Sequence, residues 1–175
     1  MGQYYKATSL NEFGNPVRSW VNSHDYDSGL KLMEHSWMLN PFVSAVEGLL
    51  VEGGDWYKKP IVWAGDYADN EFGLDKNIYS LCGDDKNVKP QQIQPMTYRY
   101  IINHTKKQYV DKMNVPDKDG WRIHPLPLLT CEGNGLGGGD FRGESDLVGS
   151  WARNKISVSN EVPEEFTELI FDLVE

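Results

Sequence analysis

The stretch EGNGLGGGD, Glu132 to Asp140, sets five glycines between two carboxylates and is the segment most suggestive of chemistry. Glycine-rich loops bind phosphate through successive backbone N–H groups, usually at a helix N-terminus with Lys or Ser/Thr nearby. GNGLGGGDFRG supplies neither Lys nor a capping hydroxyl. It therefore fits neither the G-x-x-x-x-G-K-[ST] phosphate loop nor a G-x-G-x-x-G turn opening a helix. Glu132 and Asp140 would also repel a bare phosphate, leaving Arg142, Arg153 or a divalent cation to offset them. Two roles suit so bare a backbone: a tight connection with positive φ, or a loop that orders over a ligand.

Titratable groups elsewhere offer weaker patterns. No G-x-S-x-G is present for a serine nucleophile, and Cys131 with His124 is the only thiol–imidazole pairing to consider. A metal-assisted hydrolase would gather His35, Asp66, Asp69, His124 and Asp140, all near strand or turn ends, though no H-E-x-x-H spacing supports it. His35, His124 and Asp66 stand as catalytic candidates on that reading. DYDSG and DKDG begin like calcium loops but lack the later ligands, and the single glycine cluster is no calcium-binding repeat. No cofactor or metal is assigned.

These residues must be positioned by a mixed set of elements. QYYKATSL and VRSWV, joined by a turn at 11–16, read as a hairpin. Asn40 as N-cap, Pro41 in the first turn and Gly53-Gly54 as the stop frame the main helix, about 41–52, with Phe42, Val43, Val46, Leu49 and Leu50 at helical spacing. LKLMEHSW suits a short helix or a strand, KPIVWAGDY a buried strand with Asp66 and Asp69 past its end, and DKNIYSLCG a short helix. MTYRYIIN with KKQYVDKM forms a second hairpin, DLVGSWA with KISVSN a third around Arg153-Asn154, and TELIFDLV a closing strand or short helix. The expected class is α+β: one compact domain, 1–175, with a largely antiparallel sheet of hairpins, one main helix and one or two short ones.

Composition narrows the function classes. A formal charge of −9 opposes a sequence-independent grip on nucleic acid. From Gly137 to Glu175, nine Asp or Glu against Arg142, Arg153 and Lys155 leave −6, enough to face a basic partner. No apolar run reaches the ~18 residues of a membrane span. MGQYYKATS lacks the order of a signal peptide, so a cytoplasmic protein is expected. Cys82 and Cys131 are isolated and read as free, buried thiols.

The segments GLKLMEHSW, VWAGDYAD, YIINHTKKQYVDK, IHPLPLLTCEGNGLGGGDF, LVGSWARNKISV and TELIFDLV together resemble a family of small proteins encoded by phages and bacteria. This chain has Leu136 where the resemblance leads one to expect a basic residue. The resemblance implies a phage or bacterial cytoplasmic setting and carries no activity, fold or site. The leading expectation is a small-molecule-binding module, with a nucleotide among the ligands considered, pictured as a phage accessory protein acting on a host component. Its ligand set would be Gly135, Gly137, Gly138, Gly139, Asp140 and Arg142 in the loop, with Asp66, Trp63, Tyr67, Trp151 and Arg153 beside it. The alternatives are the hydrolase above and an acidic inhibitor of a host protein; exposed aromatics would also suit a homo-oligomer.

Overall fold

The computed structural model describes residues 1–175. Strands β1 (Tyr5–Leu10) and β2 (Val17–Val21) form the first expected hairpin, closed by Asn11 N–H donating to the Pro16 carbonyl. Next come α1 (Leu32–His35), α2 (Pro41–Leu50), β3 (Lys59–Gly65) and α3 (Ile78–Leu81). β4 (Tyr100–Asn103) and β5 (Gln108–Asp111) make the second hairpin, and α4 (Pro125–Thr130), β6 (Cys131–Glu132), β7 (Lys155–Ser159) and β8 (Thr167–Glu168) complete the chain. The protein is an α+β domain. Its eight-stranded sheet runs β2-β1-β3-β7-β4-β5-β8, with β6 as a side partner of β3. Most pairings are antiparallel; β3–β6 and β5–β8 are parallel. No helix is long and apolar enough to cross a membrane.

β3 is apolar throughout its second half because both of its faces are covered. Ile61 and Trp63 join the main core, while Val62 and Ala64 join a smaller cluster with Trp20, Ile78 and Cys82, as the alternation of strand side chains requires. The main core is roofed by α2. That helix begins as its sequence directs: the Asn40 side chain accepts from Val43 N–H, and Pro41 occupies the first turn, where its missing N–H has no partner to lose. Phe42, Val43, Val46 and Leu50 are fully buried.

The same helix buries Glu47. Its carboxylate takes two hydrogen bonds from Lys112 Nζ, at 2.8 and 3.0 Å, and one from His124 Nε2. Lys112 is 0% exposed and His124 1%. His124 also N-caps α4, its Nδ1 accepting from Leu126 N–H at 3.2 Å. The proton therefore sits on Nε2, and the ring donates to Glu47 while neutral. Burial would push Glu47 up, but His124 and Lys112 outweigh it and hold the carboxyl below its ordinary value; burial holds His124 down in turn. The result is one buried ion pair solvated by an imidazole.

The third hairpin does not form. Residues 146–153 make consecutive turns instead of a strand, and β7 pairs with β4 and β3. Gly149 and Trp151 donate from their N–H groups to the Leu128 and Leu129 carbonyls, which draws the segment over the end of α4 and sinks Trp151 into the core. The C-terminal strand is limited to Thr167–Glu168; the residues after it run on with Phe171 and Leu173 buried.

Glu47→Ala would leave Lys112 as an uncompensated buried charge. Denaturant unfolding should register a loss of about 3–5 kcal/mol, whereas Glu12→Ala, at an exposed pair with Lys155, should change stability by less than about 1 kcal/mol.

Candidate functional site

The far edge of β3 is divided between two partners. Lys59 and Pro60 pair with β7, and Ile61 exchanges backbone hydrogen bonds with Arg153 and Asn154; beyond it, Trp63 and Ala64 pair with β6. Where the two partners part, a cavity of about 680 Å³ opens. It lies past the carboxyl ends of the parallel β3 and β6, between the 66–71 and 133–141 segments. In sheets with parallel strands this is where loops leave room for ligands, and the volume lies within the ordinary range of small-molecule sites, ~300–1,000 Å³.

Arg153 crosses this cavity wall. Its Nε and Nη2 donate to Glu132 at 2.6 and 2.8 Å, and its Nη1 and Nη2 donate to Glu71 at 2.7 and 2.8 Å. Hydrogen bonding to Glu71, then to Glu132, raises the guanidinium above its already high value. Its backbone lies in the left-handed region, φ +66°, and is fixed by Arg153 N–H donating to the Ile61 carbonyl. The arginine expected to meet an anion is thus committed on both edges to carboxylates of the protein.

Asp140 forms the floor. It is 3% exposed and accepts from Tyr5 Oη at 2.8 Å, Gln3 Nε2 at 2.7 Å and Gly137 N–H at 2.9 Å. Burial, and then the negative charge of its surroundings, raises the Tyr5 phenol, which keeps it a donor. Cys131 is also at the floor, but burial pushes its thiol up to about 12 and it donates to the Leu128 carbonyl. That leaves it neither ionised nor near a base, since His124 is turned to Glu47.

The glycines serve mainly as points of close approach. A Cβ on Gly137 would sit 2.3 Å from Gln3 Cβ and 2.7 Å from the Gln3 backbone nitrogen; on Gly139, at φ +87°, it would meet the Lys31 side chain. Gly138 N–H donates to the Met1 carbonyl, so the loop is bridged to the start of the chain. Of the expected ligand residues, Gly135, Asp140, Arg153 and Tyr67 line the cavity, while Gly137, Gly138 and Gly139 back it from behind.

The others lie elsewhere. Trp63 is fully buried, its Nε1 donating to His35 Nε2 at 2.9 Å, and Trp151 is buried with its Nε1 donating to Gln108. Neither indole can stack on a ligand in the cavity. Arg142 is exposed and outside the lining, and Asp66 accepts from Tyr4 N–H, pinning β1 to the loop after β3. His35 donates from Nδ1 to the Gly29 carbonyl and is wholly buried; burial lowers it to about 4. His35, Asp66, Asp69, His124 and Asp140 are not assembled: no three His, Cys, Asp or Glu side chains are grouped to hold a metal. Gln3, Tyr5 and Glu71, which the sequence reading passed over, and Glu132, which it named only as a carboxylate that would repel phosphate, supply most of the polar contacts. Only Glu132 carried a local signal, as the carboxylate opening the glycine stretch.

Comparison with protein-family models, curated proteins and solved structures finds no match for this chain.

Two outcomes follow from this geometry. Gly137→Ala should destabilise the fold by about 1–3 kcal/mol, the usual range for overpacking, whereas Gly138→Ala, whose Cβ would approach nothing closer than 3.6 Å, should retain a near-native melting temperature. For His35, the folded value of about 4 lies below the unfolded ~6.5. Between these values the unfolded chain binds a proton that the folded chain refuses, so stability falls as pH drops from 6.5 toward 4, by up to about 1.4 kcal/mol per unit. Denaturant unfolding of His35→Gln across that window should give a correspondingly shallower slope.

Proposed function

We propose that the protein is a small-molecule-binding module and that the cavity between the 66–71 and 133–141 segments is its binding site. The observation that carries this reading is the cavity itself: about 680 Å³, polar at the floor and on one wall. Leu32, Tyr67, Phe141 and Val148 add an apolar side. Polar and glycine residues outnumber the apolar ones in this lining, which suits a polar ligand with a smaller apolar part.

The lining also bears on the ligand. Its ionisable groups beyond the Tyr5, Tyr67 and Cys131 side chains are Asp69, Glu71, Glu132, Asp140 and Arg153, and the last is already held by two of the others. A nucleotide phosphate placed there would meet three unbalanced negative charges and no free cation. The reading therefore favours a ligand without phosphate.

A thermal-shift screen of polar small molecules tests it. A ligand at 100 times its Kd should add about 2.7 kcal/mol of apparent stability. Ala68→Trp, which fills the cavity from a half-buried lining position, should retain the fold and abolish the shift. A ligand whose effect survives in Ala68→Trp binds elsewhere and overturns the assignment of the site.

A further inference from the structure

Resting on the cavity as a binding site, we infer that its ligand group is a cation, an alkylguanidinium or alkylammonium whose carbon stem lies on the apolar wall. Two features point to it. The first is Asp140. This carboxylate is 97% removed from solvent yet has no ion-pair partner; its three hydrogen bonds come from a phenol, an amide and a backbone N–H. Elsewhere the fold balances a buried carboxylate with a buried ammonium, as at Glu47 and Lys112. Buried charges are ordinarily paired, and at Asp140 the face left for a counter-ion is the cavity.

The second feature is the balance of the lining. Asp69, Glu71, Glu132 and Asp140 against Arg153 leave −3, and Asp69 makes no hydrogen bond or ion pair with the protein. Low-dielectric walls focus such a field on the space they enclose.

The stem is accommodated as well as the charge. Leu32, Phe141 and Val148 share the lining with the acidic groups. Outside the cavity, Phe72 follows the lining residue Glu71, and Leu136 follows Gly135; both side chains are exposed. Two apolar tips beside an acidic cavity suit a basic side chain projecting from a protein segment as well as they suit a free amine. The cation is the shared chemistry, and its source is a matter for measurement.

Titrations followed by backbone amide NMR should use butylguanidinium and butylammonium chloride, with butanol and butyl phosphate as neutral and anionic counterparts. The cations are expected to bind roughly tenfold or more tightly than butanol, to shift amides of 66–71 and 132–141, and to weaken with added salt. Asp69→Lys, at an exposed residue with no partner to lose, should fold normally and reduce cation affinity roughly tenfold. A second arm compares a short arginine-containing peptide with the same peptide carrying citrulline. Arginine-dependent binding much tighter than butylguanidinium supports a protein side chain as the source; equal affinities support a free small molecule. Butanol binding as well as the cations, or unchanged affinity in Asp69→Lys, overturns the cation and leaves the cavity reading standing. No probe acting at the cavity while another ligand binds there, blocked by Ala68→Trp, also overturns it; failure of every ligand at the cavity overturns the reading beneath it.

Discussion

A strand edge can be hydrogen-bonded by one neighbour at a time, and the architecture follows from how β3 shares its far edge. β7 holds the beginning of that edge and β6 the end. The two arrive from opposite directions, one antiparallel and one parallel, so they cannot continue into each other and must diverge. Arg153 closes the first partner's contact, its left-handed backbone turning the chain away from Ile61. Glu132 ends the second. The fork brings these residues side by side, and their ion pair with each other and with Glu71 is a consequence of the pairing scheme. Moderate surface exposure limits what that pair adds to stability; its larger effect is to fix the wall of the cavity.

The protein treats its two most buried carboxylates differently. Glu47 receives a full ammonium and a neutral imidazole, so charge, hydrogen bonds and burial are all reconciled inside the core. Asp140 is reconciled only as a hydrogen-bond acceptor. In a core the second arrangement would be costly, because neutral donors offset only part of the desolvation of a charge. Its position at a cavity floor makes it tolerable, since water or a ligand can supply what the protein does not. The first arrangement closes its charge balance inside the core; the second leaves a negative potential at the cavity.

What could be read in the sequence was mostly local. Asn40, Pro41 and the apolar spacing after them announce α2, and the structure ends it at Leu50, before the Gly53-Gly54 stop. The two hairpins around 11–16 and 103–107 are contiguous in the chain and were equally legible. The parallel pairings of β6 and β8 have no local signature because their partners lie far away in sequence, at Trp63 and Gln108. α4 was obscured by its composition: PLPLLT holds two prolines, yet both fall in the first turn, where no N–H is needed, and His124 provides the cap. The same distance effect hid both the buried ion pair of the core and the wall of the candidate site. Lys112 lies 65 residues from Glu47, and Glu71 lies 82 from Arg153; neither spacing carries a pattern. Trp63 and Trp151 were attractive as ligand platforms for being aromatic near polar ends of segments, but large aromatics contribute most by burial and both went to the core.

The glycine stretch unites the two roles its composition allowed. Gly137 and Gly139 have little room for a side chain because the start of the chain and Lys31 lie against them. That packing lets Gln3 and Tyr5 reach Asp140. The loop is therefore held in place from behind, by Gly138 on Met1 and by Asp140 on Gly137, while its front faces the cavity. A glycine-rich segment would otherwise surrender much conformational entropy on closing over a ligand. Here that ordering accompanies folding, through contacts with residues at the other end of the sequence. On the proposed reading, a ligand at the cavity would meet a formed surface and incur little loop-ordering cost.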